Sequence, residues 1–517
     1  MPARGHRSPR ARPTPILMLI GLCVLLGVLS AALLPTVPSY DPWAWIVWGR
    51  ELVDPHLSFA TGGGPSWKPL PVLFTTVFGL FGGSAPTLWV MAARAAGLLG
   101  LCAAWRLASR LASSAVGDRP AAKVGDGADA SQAGAISGSA RTIGPIAGLV
   151  AVLGVILTQD FAYYMFRGAS EPMLVAASLW AIDRLLAGRH GSAFVLGVGA
   201  SLIQPVAWPF LGIYAVWLWI RQPRLRLLIL AGIAAIPIGW FVPPWIASGQ
   251  PFLAATHARA YNGHLGRHPV LEALRRSADL QVLPVLILAA LAVVLTCGRE
   301  RDRITLALTA GALAWIAVVV GMVIDGYPGL ERFFLPASAV LCVLAGVGVA
   351  RVAALAGARV ARESRRAAGH APAARMATLG VAVALVAVSI PLSASRIDTA
   401  RAQKPLADRA VRVLDQLSAA VRAVGGHKEV FPCRSSFTAV NHAVQTALAW
   451  KLHVTLARVG TSLRKPGVDF LGPHDSIDGG AAPVSPRLTG MEPLAQTGVW
   501  RVIRVTRPGH STACVGR

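Results

Sequence analysis

Apolar stretches separated by short polar segments run through most of the chain, and we predict that eleven of them cross a membrane. They lie at roughly 16–34, 87–105, 143–158, 172–187, 192–204, 206–220, 227–243, 283–297, 304–324, 333–350 and 376–394. About 20 apolar residues in a helix cross a hydrocarbon core about 30 Å thick. The pattern predicts an all-α polytopic membrane protein with about eleven transmembrane helices. Gln204 and Pro205 mark either a kink or a short outer turn.

The composition supports a membrane protein and argues against a nucleic-acid partner. Of the 517 residues, 54% are hydrophobic and 14% are charged, whereas soluble domains carry about 25% charged residues. The formal net charge is +25, but the basic residues lie in short clusters between the apolar stretches. That distribution is typical of membrane topology.

The distribution of basic residues also predicts the orientation of the chain. With the N-terminus in the cytoplasm, the leader and the inner connections carry 23 Lys and Arg residues, and the outer connections carry 8. This asymmetry follows the positive-inside rule. We therefore expect a multi-pass protein of the plasma membrane, with a membrane domain at 1–395 and an extracytoplasmic domain at 396–517.

The first apolar stretch follows a basic leader that contains no acidic residue. A cleaved signal peptide also begins this way, but the stretch at 16–34 is long for the apolar part of such a peptide. No small-residue cleavage site precedes Pro35 and Pro38. We interpret the stretch as an uncleaved first transmembrane helix.

The tail after residue 395 has the mixed composition of a small α/β or α+β domain. It contains Cys433 and Cys514, which we expect to form a disulfide in an oxidising compartment. Two unpaired thiols are the alternative. The segment 113–142 is rich in Ala, Gly, Ser and Asp, and we interpret it as a flexible cytoplasmic linker.

The first outer loop contains two apolar segments that do not fit a span. Residues 70–81 are too short, include Pro71 and Gly79, and are followed by Gly82 and Gly83. Residues 43–53 have a Trp-rich apolar side that includes Trp43 and Trp48. We predict that both form interfacial helices on the outer membrane surface.

Few acidic residues lie on the predicted outer side, and two of them stand at the ends of spans. Asp41 follows the first span, and Glu171 begins the fourth. A carboxylate at such a position is costly unless it faces a partner or a water-filled cavity. The alternative is a structural role, since helix N-termini favour carboxylates. Asp325 is a third outer acidic residue.

Basic residues on the same side form a second set of candidates. Lys68 lies between the two interfacial segments, Arg332 begins the tenth span, and His257 and Arg259 lie in a long outer loop. Cations at headgroup level suit a phosphate. Lysine and arginine side chains also extend to lipid headgroups without any specific function. Arg94 lies within the second span and needs a partner or a wet cavity.

Taken in order, these motifs resemble the GT-C superfamily of polyprenyl-phosphate-sugar-dependent glycosyltransferases. That group includes the aminoarabinose transferases of lipid A, protein O-mannosyltransferases and actinobacterial arabinosyl- and mannosyltransferases. The resemblance covers roughly residues 16–350. Its motifs are Asp41, the run 68–71 leading into 78–83, Arg167 with Glu171, the segment 248–252 and the segment 332–336.

The resemblance implies roles for individual residues. Asp41 would be the base that takes the proton of the acceptor hydroxyl. Lys68 would contact the donor phosphate, with Arg332 as a second phosphate ligand. Glu171 would bind acceptor, sugar or a divalent cation such as Mg²⁺ or Mn²⁺. Further candidate donor contacts are Arg167, His257, Arg259 and Asp325.

Two departures from the family pattern affect these expectations. Many relatives carry a second acid beside the first-loop acid, but Pro42 follows Asp41 here, which puts a metal requirement in doubt. The Arg-Pro-Glu or Arg-Pro-Asp motif after the fifth span is replaced by the segment 203–206.

The resemblance implies an inverting glycosyltransferase at the outer face of the plasma membrane. It would move a sugar from a polyprenyl-phosphate donor to an envelope glycan, glycolipid or protein. The alternatives are a flippase or transporter of a lipid-linked saccharide and a scaffold without catalysis. A transporter often shows internal repeats, and no repeat is evident in the sequence.

Overall fold

The computed structural model describes residues 15–117, 130–260, 265–297, 302–366, 372–433, 436–461, 467–473 and 491–506. The helices are α1 (Pro15–Leu33), α2 (Tyr40–Val53), α3 (Pro69–Gly79), α4 (Ala85–Gly117), α5 (Ala130–Leu157), α6 (Phe161–Phe166), α7 (Glu171–Leu186), α8 (His190–Ile203), α9 (Trp208–Arg221), α10 (Arg226–Ser248), α11 (Leu253–Ala260), α12 (Pro269–Asp279), α13 (Leu283–Leu295), α14 (Arg303–Ile324), α15 (Leu335–Arg366), α16 (Pro372–Leu392), α17 (Ala394–Ala423), α18 (His427–Val430) and α19 (Gln445–Lys451). The strands are β1 (Phe437–Val440), β2 (Val459–Gly460), β3 (Gly467–Leu471), β4 (Met491–Thr497) and β5 (Trp500–Val505).

The chain is a multi-pass membrane protein. All eleven predicted spans fall on helices, namely α1, α4, α5, α7, α8, α9, α10, α13, α14, α15 and α16. Among the described residues, five helices are long and apolar enough to cross a membrane alone, and counting two bent pairs as spans gives up to seven. Helices such as α8 and α9 have only 14 residues each. The number eleven therefore stays a prediction.

Helix α15 lies at the centre of the membrane domain, and α1 lies at its periphery. In the apolar stretch of α15, 78% of the residues are buried, whereas in that of α1 only 11% are buried. Gly346 and Gly348 make the central position possible. A Cβ at Gly346 would overlap the backbone of Ala147 in α5, and a Cβ at Gly348 would overlap that of Leu288 in α13. Small residues let membrane helices approach this closely.

The two described ends of the predicted linker at 113–142 are helical, and its flexibility stays a prediction. Helix α4 continues to Gly117 and α5 begins at Ala130. The alanines of this segment favour helix. Residues 118–129 lie outside the described part of the chain.

The loop after α1 forms the two predicted short helices, but α2 does not present its tryptophans to lipid. Trp43 and Trp48 are buried, because α3 and the C-terminal helix α19 pack against α2. Helix α3 differs, since Leu73 and Val77 on its outer side are exposed. An apolar exposed face of this kind suits the membrane interface for α3 alone.

The C-terminal region contains a small mixed sheet in the order β2-β1-β3-β5-β4. Strands β2, β1 and β3 are parallel, and β5 joins β3 and β4 in antiparallel pairs. Helix α17, bent by 63° from α16, packs on β4 and β5. Cys433 is disulfide-bonded, and its predicted partner, Cys514, lies outside the described residues.

Candidate active site

A cavity of about 620 Å³ lies between the first outer loop, the ends of α8 and α10, helix α11 and the segment before α15. Five of the predicted site residues line it, namely Asp41, Lys68, His257, Arg259 and Arg332. Glu171 is not in the lining, but it contacts two side chains that are. Arg167 and Asp325 are also outside the lining. The structure thus brings six of the eight predicted residues to one place.

Asp41 and Arg332 form an ion pair in the wall of the cavity. The Nη1 of Arg332 donates to Oδ2 of Asp41 at 2.7 Å. Asp41 is in the first turn of α2, where the helix N-terminus favours a carboxylate. Oδ1 of Asp41 accepts no hydrogen bond from the described residues, so one oxygen remains available to a substrate.

Lys68 and Glu171 form a second pair behind the first. The Nζ of Lys68 lies 3.2 Å from Oε1 of Glu171 and donates to Oγ of Ser170 at 2.8 Å. Lys68 precedes Pro69 at the start of α3, and a residue before proline favours the extended backbone that Lys68 adopts. Glu171 begins α7, where the N-terminus again favours a carboxylate.

The two pairs join into one group, which we call the charged wall: Asp41, Lys68, Glu171 and Arg332. The Nε of Arg332 lies 3.9 Å from Oε1 of Glu171. Within the described part of the chain, Nε of Arg332 and Oε2 of Glu171 are buried without hydrogen-bond partners. Leaving a buried charged group unsatisfied costs at least about 1–3 kcal/mol. The charged wall is therefore incompletely satisfied beside an open cavity.

Arg167 lies outside the cavity lining, apart from the other predicted donor contacts that line it. Its guanidinium is buried and donates to the backbone oxygens of Val37 at 3.1 Å and Pro38 at 3.4 Å. Gly168, the next residue, has a φ of +71°, which favours glycine, and a Cβ there would lie only 3.2 Å from the ring of Trp89. These contacts fix the loop before Asp41 against the loop before Glu171.

Arg94 has a structural environment of the same kind. It donates to the backbone oxygen of Ser30 at 3.0 Å and to that of Phe166 at 3.2 Å, and it also bonds Pro35. The partner that the sequence analysis required is thus a set of backbone carbonyls.

His257 and Arg259 form the outer rim of the cavity. Nδ1 of His257 lies 3.4 Å from the backbone oxygen of Pro65. Arg259 pairs with Asp325 and lies over the ring of Tyr327, with Cζ 4.8 Å from the ring centroid. Asp325 therefore holds Arg259 in place at the rim and does not itself reach the cavity.

The C-terminal region supplies a residue that the sequence analysis missed. His442 lines the cavity and stacks on Tyr40 with ring centroids 4.2 Å apart. Burial lowers the pKa of the His442 imidazole, although the negative charge of Asp41 partly opposes this shift. The hydroxyl of Tyr40 donates to Oε1 of Gln445 at 2.8 Å. No resemblance covers the tail, so no sequence signal marked His442.

Arg50 and Glu51 dock the C-terminal domain on α2. Arg50 donates to the backbone oxygens of Val454 at 2.8 Å and Trp450 at 3.0 Å. Glu51 accepts from the backbone nitrogen of Leu456 at 3.3 Å. Burial raises the pKa of Glu51 to about 7. This docking holds His442 at the cavity.

The side of the cavity formed by α8, α9 and α10 is aromatic. We call Trp208, Trp240, Phe241 and Phe252 the aromatic wall. Trp208 packs edge to face against Trp240 and Phe241, with centroids 6.0 and 6.3 Å apart. Gln204 lines the cavity beside this wall, and its buried Oε1 has no hydrogen-bond partner among the described residues.

The carboxylates do not form an evident metal site. Among the described residues, no group of three or more His, Cys, Asp and Glu side chains could hold a metal ion. Asp41 pairs with Arg332 and Glu171 pairs with Lys68. Carboxylates that already pair with cations do not fit the expected Mg²⁺ or Mn²⁺, so we derive no step through a metal.

Comparisons with known proteins identify the fold. No protein-family model and no curated protein matches the sequence. The crystal structure of ArnT from Cupriavidus metallidurans bound to undecaprenyl phosphate is similar, with a TM-score of 0.52, 14% identity, and coverage of 98% of this chain and 100% of that chain. The apo structure of the same protein is also similar, with a TM-score of 0.50, 14% identity, and coverage of 94% of this chain and 97% of that chain. ArnT is a GT-C family glycosyltransferase, so the predicted resemblance is confirmed at the level of the fold.

Proposed function

We propose, on the premise that the chain has the fold of ArnT over nearly its whole length, that it is a glycosyltransferase using a polyprenyl-phosphate-linked sugar. The proposal rests on one observation: a cavity of about 620 Å³ is bounded by both the charged wall and the aromatic wall. A lipid-linked sugar phosphate carries an anionic group and apolar surface, which match the two walls.

The donor phosphate would bind at Lys68 and Arg332. Both cations line the cavity, and the fork of an arginine suits phosphate oxygens. Negative charge grows on the phosphate as the bond to the sugar breaks, and preorganised cations stabilise that charge. The complex of ArnT with undecaprenyl phosphate supports a lipid donor of this class.

Asp41 would act as the base. The acceptor hydroxyl oxygen attacks the anomeric carbon, the bond from that carbon to the phosphate oxygen breaks, and polyprenyl phosphate leaves with the electron pair. The hydroxyl proton passes to Oδ1 of Asp41, since Arg332 holds Oδ2 at 2.7 Å. A single displacement of this kind inverts the anomeric configuration.

Glu171 would position the phosphate ligands and not touch the substrate. It lies behind Lys68 at 3.2 Å and Arg332 at 3.9 Å, and it is almost fully buried. A carboxylate between two cations lets them approach one phosphate without repelling each other. This role differs from the direct substrate contact that the family resemblance implied.

The acceptor would reach the cavity from the side of the C-terminal domain. His442 and Tyr40 form that edge, next to Asp41. An imidazole can donate and accept hydrogen bonds, which suits a hydroxyl group near the base. The acceptor would be an envelope glycan, glycolipid or protein at the outer face, where the positive-inside rule predicts that these loops lie.

A transfer assay tests this proposal against a flippase. Purified protein in vesicles is given polyprenyl phosphates that carry different radiolabelled sugars, together with an envelope extract as the source of acceptors. We expect label to move from the lipid to the extract. Movement of the labelled lipid across the bilayer without transfer would favour a flippase. If neither transfer nor movement of the lipid is observed, both functions are contradicted.

A further inference from the structure

Gln204 is an unpartnered amide in an otherwise apolar part of the cavity. It is about 4% exposed, and it lies at the break between α8 and the turn Pro205–Ala207. Oε1 is buried and has no hydrogen-bond partner among the described residues. Amide groups in such positions are normally hydrogen-bonded. A ligand in the cavity would supply the missing partner.

Three hydrogen bonds from tryptophan indoles link the backbone segments that carry Gln204 and Lys68. Trp67, beside Lys68, donates to the backbone oxygen of Gly239 at 2.9 Å. Trp240, the next residue, donates to the backbone oxygen of Ser201 at 2.9 Å. Trp208 donates to the same oxygen at 3.0 Å. These bonds fix the amide relative to the phosphate ligand, within one cavity.

We infer that Gln204 binds a hydroxyl group of the donor's sugar and that this sugar is uncharged. The inference rests on the proposed function and names the substrate class of the same site. A carboxamide both donates and accepts hydrogen bonds, as a sugar hydroxyl does. The rings of the aromatic wall provide apolar surface for the faces of the sugar.

The lack of charge around Gln204 carries the second part of the inference. The other side chains that α8, α9, α10 and their connections contribute to the cavity lining are Ile203, Pro205, Trp208, Trp240 and Phe241. An ammonium or carboxylate held against these residues would find no counter-ion among them, which is strongly unfavourable for a buried charge. A hydroxyl group meets no such penalty.

Equilibrium binding tests the inference without knowledge of the acceptor. Affinities are measured for bare undecaprenyl phosphate and for the same lipid carrying mannose, glucose, galactose, arabinose, 4-amino-4-deoxyarabinose or glucuronic acid. The proteins are the wild type, Gln204→Leu, Gln204→Met and the matched control Gln222→Leu. Gln222 follows the far end of α9 and is not in the cavity lining.

We expect at least one neutral sugar to improve wild-type affinity about tenfold over the bare lipid. Gln204→Leu and Gln204→Met should lose that gain and keep the affinity for bare undecaprenyl phosphate within about twofold. Gln222→Leu should behave as the wild type. Both Gln204 variants should fold, because removing an unsatisfied buried amide does not destabilise the protein.

Three results would overturn the inference and leave the proposed function intact: a gain that persists in the Gln204 variants, an equal loss of affinity for the bare lipid, or a gain confined to charged sugars. A wild type that binds bare undecaprenyl phosphate but gains from no sugar would also overturn it. Failure of the wild type to bind even the bare lipid would contradict the proposed function, and the inference with it.

Discussion

The two ends of α7 carry the same chemistry in different surroundings. Glu171 at its start and Asp183 near its end are both almost fully buried and both paired with cations. Oδ1 of Asp183 accepts from Arg106 at 2.9 Å, and Oδ2 accepts from Arg184 at 3.0 Å. Both oxygens of Asp183 are satisfied. Glu171 leaves Oε2 unpartnered within the described structure.

The difference shows that a buried ion pair does not by itself mark a functional site. Buried pairs form wherever a charge in a membrane helix needs a partner, and they are weak evidence for stability or function alone. Glu171 belongs to the charged wall, which adjoins a cavity, and two polar atoms of this wall, Oε2 of Glu171 and Nε of Arg332, have no hydrogen-bond partner among the described residues. The cavity and the unsatisfied atoms distinguish the charged wall from the cluster around Asp183.

The largest expected effect is on catalysis at the charged wall. Asp41→Asn should lower the rate of sugar transfer about 10²–10⁴-fold, because an amide cannot take the hydroxyl proton. The transfer rate is measured after thermal unfolding has shown that the variant is as stable as the wild type. Asp398→Asn is the control, since Asp398 is an exposed residue of α17 that pairs with Arg401. An active Asp41→Asn enzyme would contradict the assigned base.

The next effect is on stability at the other end of α7. Asp183→Ala should destabilise the fold by about 3–5 kcal/mol, since it leaves the buried guanidinium of Arg184 without its partner. Unfolding is followed in detergent micelles, and binding of undecaprenyl phosphate is measured on the folded fraction. We expect that binding to be unchanged. Weakened binding in folded protein would erase the distinction between the two ends.

A smaller effect is expected on lipid affinity. Lys68→Ala should weaken binding of undecaprenyl phosphate about 10–100-fold, as expected for the loss of a charged hydrogen bond. The double variant Lys68→Ala/Glu171→Gln tests whether the effect comes only from an unpaired glutamate. Lys404→Ala is the control, since Lys404 is an exposed residue of α17. Wild-type affinity in Lys68→Ala would exclude this lysine from the phosphate site.

The smallest effect concerns pH and the docking of the C-terminal domain. Burial raises the pKa of Glu51 from 4.5 to about 7, so between these values the folded state holds a proton that the unfolded state has lost. Stability should therefore fall as pH rises through this range, by on the order of 1 kcal/mol per pH unit. Glu51→Gln should flatten this dependence in thermal unfolding scans. If Glu51→Gln and the wild type show the same dependence of stability on pH, Glu51 does not titrate in this range.

Local patterns in the sequence predicted much of the membrane domain. Apolar runs located the helices, and short motifs located Asp41, Lys68, Glu171 and Arg332, which the structure brings into contact. These features depend on nearby residues or on motifs shared with a known fold. Their roles in catalysis remain predictions.

Features that depend on distant contacts could not be predicted. Helix α2 resembled an interfacial helix because its tryptophans form an apolar side, but a domain about 400 residues later covers them. His442 reaches the cavity through the same docking. Gln204 was visible in the sequence only as a break before proline. A broken helix near a membrane cavity often marks a binding site.

An experimental structure with bound undecaprenyl phosphate tests the central claim most directly. The charged wall should hold the phosphate, with phosphate oxygens about 3 Å from Nζ of Lys68 and from the guanidinium of Arg332. The aromatic wall should remain free for the sugar or the first lipid units. A phosphate bound elsewhere, with Lys68 and Arg332 still paired only to Glu171 and Asp41, would contradict the account.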